Sequence, residues 1–156
     1  MKRIVNLDQK AAQYAQGIIR QGEDKKLENQ ITKALGVLQE QGIYALLLYL
    51  FSENSKVTKA IYNNLIELLK EVGLKDEDGN ALHLVDKQKE DRVYFQAVLK
   101  FYSDNILNNL DHLFLVRDIY EQTLIYARYG AKAWGKADDA NVSDAKTVAP
   151  GGVNTL

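Results

Sequence analysis

One segment limits the possible folds of this chain more than any other. In residues 42–51, GIYALLLYLF, nine apolar side chains follow one glycine without interruption, and the polar residues 52–54 end the run. Nine residues are too few to cross a bilayer, which requires ~20, and the run has no polar side to face water. We therefore predict a short helix that other helices of the same domain enclose.

The remaining apolar residues recur every three or four positions, which is the period of an amphipathic helix and not of a strand. Ser55 suits the N-cap of one such helix, and Gly73 suits its C-cap. The turn signal Asp78-Gly79-Asn80 lies in the one long connector, residues 74–85, which has room for a short hairpin. The predicted helices span about residues 7–20, 25–40, 42–51, 56–72, 86–110 and 113–134.

These patterns predict an all-α fold, a compact single-domain bundle of about five to six helices around a buried central helix. Residues 1–136 form the predicted helical domain, and residues 137–156 form a polar C-terminal tail that we exclude from the core. The 156 residues suit one domain that buries roughly two thirds of its unfolded surface. Because the chain opens without a charged and apolar leader and contains no cysteine, we expect an intracellular, cytoplasmic protein without disulfides or thiolate metal sites.

Motifs of known catalytic and cofactor sites are missing from the sequence. It contains no phosphate-binding glycine loop, no HExxH, no CxxC and no GxSxG. The two histidines, His83 and His112, stand too far apart for ligands on one helix, so each is interpreted as a surface or helix-end residue. An acidic stretch, residues 76–80, lacks the glycine and glutamate of a calcium loop and is interpreted as a turn. We expect no cofactor, no metal and no enzymatic activity.

Basic residues are concentrated in the first and last parts of a chain whose net charge is −1. Residues 1–33 hold seven Lys or Arg against four acids, and residues 116–136 hold four against two. If the fold brings the first and last helices together, these segments would form a basic strip, which is either an ordinary solvated face or a track for phosphates. Glu121 stands one helical turn after Arg117, so we expect an ordinary ion pair there.

The aromatic residues allow two interpretations, as core residues or as a contact surface. Trp134, Tyr129 and Tyr14 lie close to the basic segments and are open to an interface role. Core packing is the preferred interpretation for the tyrosines on apolar stripes, which are Tyr44, Tyr49, Tyr62, Tyr120 and Tyr126.

Two segments resemble a known family. Residues 34–56, ALGVLQEQGIYALLLYLFSENSK, followed by IYNNLIELLKEVG, resemble the central part of the small helical subunit of type III-B CRISPR effector complexes, the Cmr module. Residues 120–133, YEQTLIYARYGAKA, are similar to the last helix of that family, in which a basic residue and alanine follow an aromatic. The resemblance covers about residues 10–136. It departs from the family pattern in having no proline before Pro150 and Tyr129-Gly130-Ala131-Lys132 where a tryptophan and consecutive basic residues are usual.

The resemblance implies a non-catalytic subunit that supports the guide-target RNA duplex in antiviral defence. It implies as partners the repeated backbone subunit, the polymerase-like large subunit, other copies of the chain, and guide and target RNA. The residues expected to contact the RNA backbone are Arg20, Lys25, Lys26, Lys33, Arg128, Lys132 and Lys136. The alternative is a helical protein–protein adaptor that binds through its aromatic last helix without nucleic acid. An enzyme ranks third, with Glu121 near Arg117 or the acids of residues 76–78 as the places to look.

Overall fold

The described part of the chain is built from helices joined by short connections, as predicted for the fold class. The structure, a computed structural model, describes residues 6–84, 86, 87 and 89–154, with side chains of the last helix described as far as Lys136. The helices are α1 Leu7–Gln21, α2 Leu27–Gln41, α3 Ile43–Glu53, α4 Lys56–Val72, α5 Asp91–Tyr102 and α6 Leu110–Asn154, with a π-helical turn at Ser103–Leu107. None of these described helices is both long and apolar enough to cross a membrane.

The helix ends follow from local side-chain chemistry. Ser55 caps α4 in a reciprocal box, because its hydroxyl accepts from the backbone N–H of Thr58 at 3.1 Å and its own N–H donates to the Thr58 hydroxyl at 2.8 Å. Gly73 ends α4 with a φ of 72°, a left-handed conformation that glycine adopts without strain. Both caps confirm the sequence-based prediction.

Helix α1 lies between α4 and α6 and fixes how the ends of the bundle are placed. Lys10 near the start of α1 pairs with Glu71 near the end of α4 at 3.0 Å, and a Cβ added to Gly22 would lie 3.3 Å from the Cβ of Ala60. Helices α1 and α4 are therefore antiparallel. The beginning of α4 lies at the same end of the bundle as the connection from α1 to α2.

The core is formed mainly by the predicted stripes, but α3 is not enclosed on all sides. The α2 stripe is buried at all five predicted positions, Leu27, Ile31, Ala34, Leu35 and Leu38. Along α3, Leu46 and Leu47 are buried, whereas Tyr44 and Leu48 are each 40% exposed. The prediction of a buried central helix, and of Tyr44 as a core residue, was wrong in this respect. Helix α3 packs on α2, α4 and α5 and leaves its outer face open, while α6 packs on both α1 and α2.

The segment between α4 and α6 differs most from the prediction. The connector makes an isolated antiparallel bridge between Lys75 and Ala81, which agrees with a short hairpin. Helix α5 begins only at Asp91 and ends at Tyr102, so the predicted helix over residues 86–110 is shorter at both ends. At its end the Asn105 amide donates to the Phe101 carbonyl at 3.0 Å, and the Asn105 carbonyl lies 2.9 Å from His112 Nδ1. Both contacts lie at the π turn, where these side chains take part in the hydrogen bonding of backbone carbonyls.

The described part of the predicted polar tail, residues 137–154, continues α6, so the last helix extends beyond its predicted end near residue 134. The backbone remains helical through Asn154, while the side chains after Lys136 lie outside the described residues.

Candidate nucleic-acid interface

Close packing of α1 against α6 brings the two basic segments of the chain together. A Cβ added to Gly130 in α6 would lie well inside van der Waals contact with Cδ1 of Ile19 and 3.8 Å from its Cγ1. Tyr126, one turn earlier in α6, donates a hydrogen bond to the Asp8 carboxylate near the start of α1. Both helices therefore run in the same direction, and the C-terminal end of α1 lies beside the part of α6 that follows Gly130.

Helix α2 is held against an earlier part of α6 and runs the opposite way. A guanidinium nitrogen of Arg117 donates to the Gln39 carbonyl at 2.9 Å, and the Gln39 amide donates to the Glu121 carboxylate at 3.2 Å. The expected ion pair between Arg117 and Glu121 is absent from the described contacts, because both side chains bond to α2 instead. Lys33 is six residues before Gln39 and Arg128 is seven after Glu121, which places both ~10 Å farther toward the same end of the bundle.

The structure thus gathers the seven predicted residues toward one end, which we call the basic end. Arg20 lies in the last turn of α1, Lys25 and Lys26 lie in the connection to α2, and Lys33 lies in the first half of α2. The members from α6 follow in its middle, with Arg128 and Lys132 half-buried and Lys136 exposed. None of the seven cations forms an ion pair (N···O within 4.0 Å) with a described acid.

The basic end also contains acidic residues and one cation that the sequence did not single out. Lys56, at the start of α4, donates to the Glu23 carbonyl at 3.0 Å and so joins this end. Glu23, Asp24 and Glu28 are exposed nearby, and Asp24 uses a carboxylate oxygen to accept the backbone N–H of Lys26 at 3.0 Å. Lys56 was missed because its position depends on the antiparallel packing of α4 on α1, which leaves no signal in the sequence.

Arg128 is the electrostatically unusual member of the basic end. Its Nε is buried and has no hydrogen-bond partner among the described residues, although the side chain as a whole is only half-buried. A guanidinium stays charged in proteins and carries five donors, so a buried nitrogen without an acceptor is unfavourable by about 1–3 kcal/mol.

Aromatic side chains lie beside these cations. Tyr129 is 66% exposed and Trp134 is 42% exposed, as expected for residues open to an interface role. The Lys132 ammonium lies 6.0 Å from the centre of the Tyr129 ring, at the outer limit of a cation–π contact. Tyr14 does not join this surface, contrary to the prediction, because it is half-buried and bonds to Glu71 at the end of α4 that lies away from the basic end. Burial, followed by that hydrogen bond, raises the pKa of Tyr14 to about 12.

The other candidate sites have structural explanations. A carboxylate oxygen of Asp76 accepts the backbone N–H groups of Asp78 at 3.0 Å and Asn80 at 2.9 Å, which confirms the turn interpretation. His112 lies at the start of α6 against a backbone carbonyl, as expected for a helix-end histidine, and His83 is exposed. Within the described ranges no group of three or more metal-binding side chains is assembled.

Comparison of the chain with models of known protein families, with characterised proteins and with solved structures finds no match.

Proposed function

We propose that this protein is a non-catalytic small subunit of a type III-B CRISPR effector complex, which binds the backbone of the guide-target RNA duplex through its basic end. The observation that carries the proposal is the placement of seven cations from α1, the α1–α2 connection, α2 and α6 toward one end, without ion-pair partners among the described residues. The resemblance of residues 34–56 and 120–133 to that family supports it, as does the all-α fold.

The proposed mechanism is electrostatic. Lysine and arginine contact phosphate oxygens without reading bases, and base pairing between guide and target supplies the sequence specificity. Arg128 is compatible with this mechanism because it forms no ion pair with a described acid. None of the seven cations has an ionic partner among the described residues, so RNA binding would not first require an ion pair to be broken.

The proposal includes partners in a cytoplasmic assembly. Copies of the chain would stack along the complex beside the repeated backbone subunit and below the polymerase-like large subunit. RNA cleavage would belong to other subunits.

Charge reversal at the basic end tests RNA binding. We expect the double variant K132E/K136E to bind a guide-target RNA duplex more weakly, and its plot of log affinity against log salt to lose about one unit of slope for each phosphate contact removed. The matched control is K70E/K100E, which makes the same change of net charge on α4 and α5, where both lysines are exposed. Equal weakening in the control would show that net charge alone, and not the basic end, controls binding.

Assembly is tested separately by tagging the chain in its native host and identifying the RNA and proteins that co-purify. Recovery of short repeat-derived RNA with a polymerase-like subunit is the expected result. Recovery of one protein and no RNA would contradict the proposal.

The exposure of Tyr129 and Trp134 favours the helical adaptor as the second candidate function. An aromatic protein interface changes little with salt, whereas phosphate binding weakens steeply. A partner whose binding is insensitive to salt and is lost in Trp134→Ala would support the adaptor.

A further inference from the structure

A groove lined by residues of α3, α4 and α5 has features that the basic end does not explain. It lies between the end of α3, the first half of α4 and the beginning of α5, and encloses about 630 Å³. This volume is within the usual range for sites that bind a small organic ligand, about 300–1,000 Å³.

Aromatic rings form the floor of the groove. The Phe51 ring centre lies 5.0 Å from that of Tyr62 and 4.8 Å from that of Phe95, with tilted planes. The hydroxyls of Tyr62 and Tyr94 are hydrogen bonded to each other at 2.8 Å, so these polar groups are already satisfied. Phe51 and Phe95 are half-buried and keep part of each ring accessible from the groove. The floor is therefore preformed and mainly apolar, and the accessible part of Phe51 or Phe95 is open to contact with an aromatic ring.

Cations predominate among the charged residues that line the groove. Lys59, Lys87 and Arg92 stand against the single acid Asp91, and no described acid forms an ion pair with any of the three cations. All three cations are exposed, so each is free to approach an anion at the mouth of the groove. This charge balance favours an anionic occupant.

Amide side chains add hydrogen-bonding groups to the apolar floor. Asn54, which ends α3, and Asn63 in α4 both line the groove and are exposed. Each amide offers donors and an acceptor, the pair of functions that the edges of nucleobases match. A purely apolar peptide segment would leave these amides and the three cations unused.

We propose that the groove binds a nucleotide, with the base against Phe51 and Phe95 and the phosphate near Lys59 and Arg92. Stacking of bases on aromatic side chains and attraction of the phosphate by cations are the two interactions that the lining residues provide. The nucleotide is either a free mononucleotide or an unpaired nucleotide of a single RNA strand, since both present the same chemistry. The proposal does not depend on the basic end or on assembly into an effector complex.

The test is a titration of the full chain, by calorimetry and by amide chemical shifts, with AMP, GMP, CMP and UMP, with adenosine, and with a six-nucleotide oligoadenylate. We expect saturable binding of at least one nucleotide, with shifts confined to residues around the groove. The double variant K59E/R92E should weaken it by about tenfold or more, as expected for loss of charged hydrogen bonds. The control K70E/K100E changes the charge equally outside the groove and should leave binding unchanged.

Phe95→Leu tests the stacking contact, because leucine keeps an apolar side chain but removes the ring. Since Phe95 is only half-buried, the variant should keep its unfolding transition and bind more weakly. Binding of mononucleotides would identify a free ligand, whereas binding of the oligonucleotide alone would identify an RNA strand. Either result supports the proposal when K59E/R92E weakens the binding by about tenfold or more.

Three results would overturn the proposal. They are the absence of saturable binding for every nucleotide and the oligonucleotide, saturable binding of AMP and adenosine with equal affinity, and binding that K59E/R92E leaves unchanged. The variant K132E/K136E separates this site from the basic end, because it should leave mononucleotide binding unaltered while it weakens duplex binding.

Discussion

Replacement of Gly17 by alanine should destabilise the protein although alanine is the better helix former. In the structure a Cβ at residue 17 would overlap Oδ1 of Asn64 and lie 3.0 Å from its Cγ. Asn64 is only 5% exposed, and its amide donates to the Ala60 carbonyl at 2.8 Å and to the Gln21 side chain at 3.1 Å. The asparagine must therefore shift within a packed interface between α1 and α4, which strains or breaks these bonds.

The expected change in the free energy of unfolding combines two costs and one gain. Overpacking of a well-packed site costs about 1–3 kcal/mol, and each hydrogen bond lost from a buried amide costs about 1 kcal/mol. The exchange of glycine for alanine in a helix interior returns about 1 kcal/mol. We expect the free energy of unfolding to fall by about 1–4 kcal/mol, and the melting temperature to fall by about 2–4 °C for each kcal/mol.

The chain contains a matched control. Gly36 is also inside a helix, but a Cβ added there meets no atom within 4 Å, so Gly36→Ala should stabilise the protein by about 0.5–1 kcal/mol. Urea unfolding followed by circular dichroism measures both variants. In a double-mutant cycle, Asn64→Ala should remove most of the penalty of Gly17→Ala, because the overlapping atoms are gone. Equal stability of Gly17→Ala and Gly36→Ala, or additive effects of the changes at residues 17 and 64, would contradict the overlap with Asn64.

Three further predictions concern capping, ionisation and buried charge. Ser55→Ala should lower the free energy of unfolding by about 1–2 kcal/mol in urea melts, because α4 loses its capping box; an unchanged midpoint would argue against it. Burial raises the pKa of the Tyr102 and Tyr120 hydroxyls, which lie 2.7 Å apart, so the folded protein keeps them neutral above pH ~10 while the unfolded chain ionises. The two neutral hydroxyls contribute their full stabilisation of the folded state below that pH, and the contribution declines above it by about 1.4 kcal/mol per pH unit for each hydroxyl. The variant Y102F/Y120F should therefore lose stability less steeply in alkaline melts. A slope identical to that of the unmodified protein would refute this assignment. Arg128→Met should raise the free energy of unfolding by about 1 kcal/mol, because it removes an unpartnered buried donor, and it should weaken RNA binding. Arg117→Met should lower the free energy of unfolding, because it loses the bond to α2. The opposite order of stability in urea melts would contradict these two assignments.

The amino-acid sequence alone determined the helical class and much of the local structure. The α2 stripe is buried at every predicted position, and α4 begins and ends at the predicted caps, Ser55 and Gly73. Such features depend on the period of apolar residues and on side chains within one turn of each other, so they are readable without knowledge of the fold. For the candidate site, the sequence predicted seven cations and indicated that Tyr129 and Trp134 are open to an interface role, and both of these aromatics are exposed.

Only the tertiary structure decided which surfaces these elements share. Which helices pack on each other determines the open outer face of α3, the position of Lys56 at the basic end and the aromatic groove. The uniformly apolar sequence of residues 42–51 did not indicate that one side of α3 is exposed. Gly17 and Gly130 allow the close approach of α4 and α6 to α1, yet in the sequence they appear as ordinary weak helix residues. The physical reason is that periodicity records how one helix divides its surface between water and protein, whereas helix placement is set by contacts between residues as far apart as Ile19 and Gly130, which no local pattern contains.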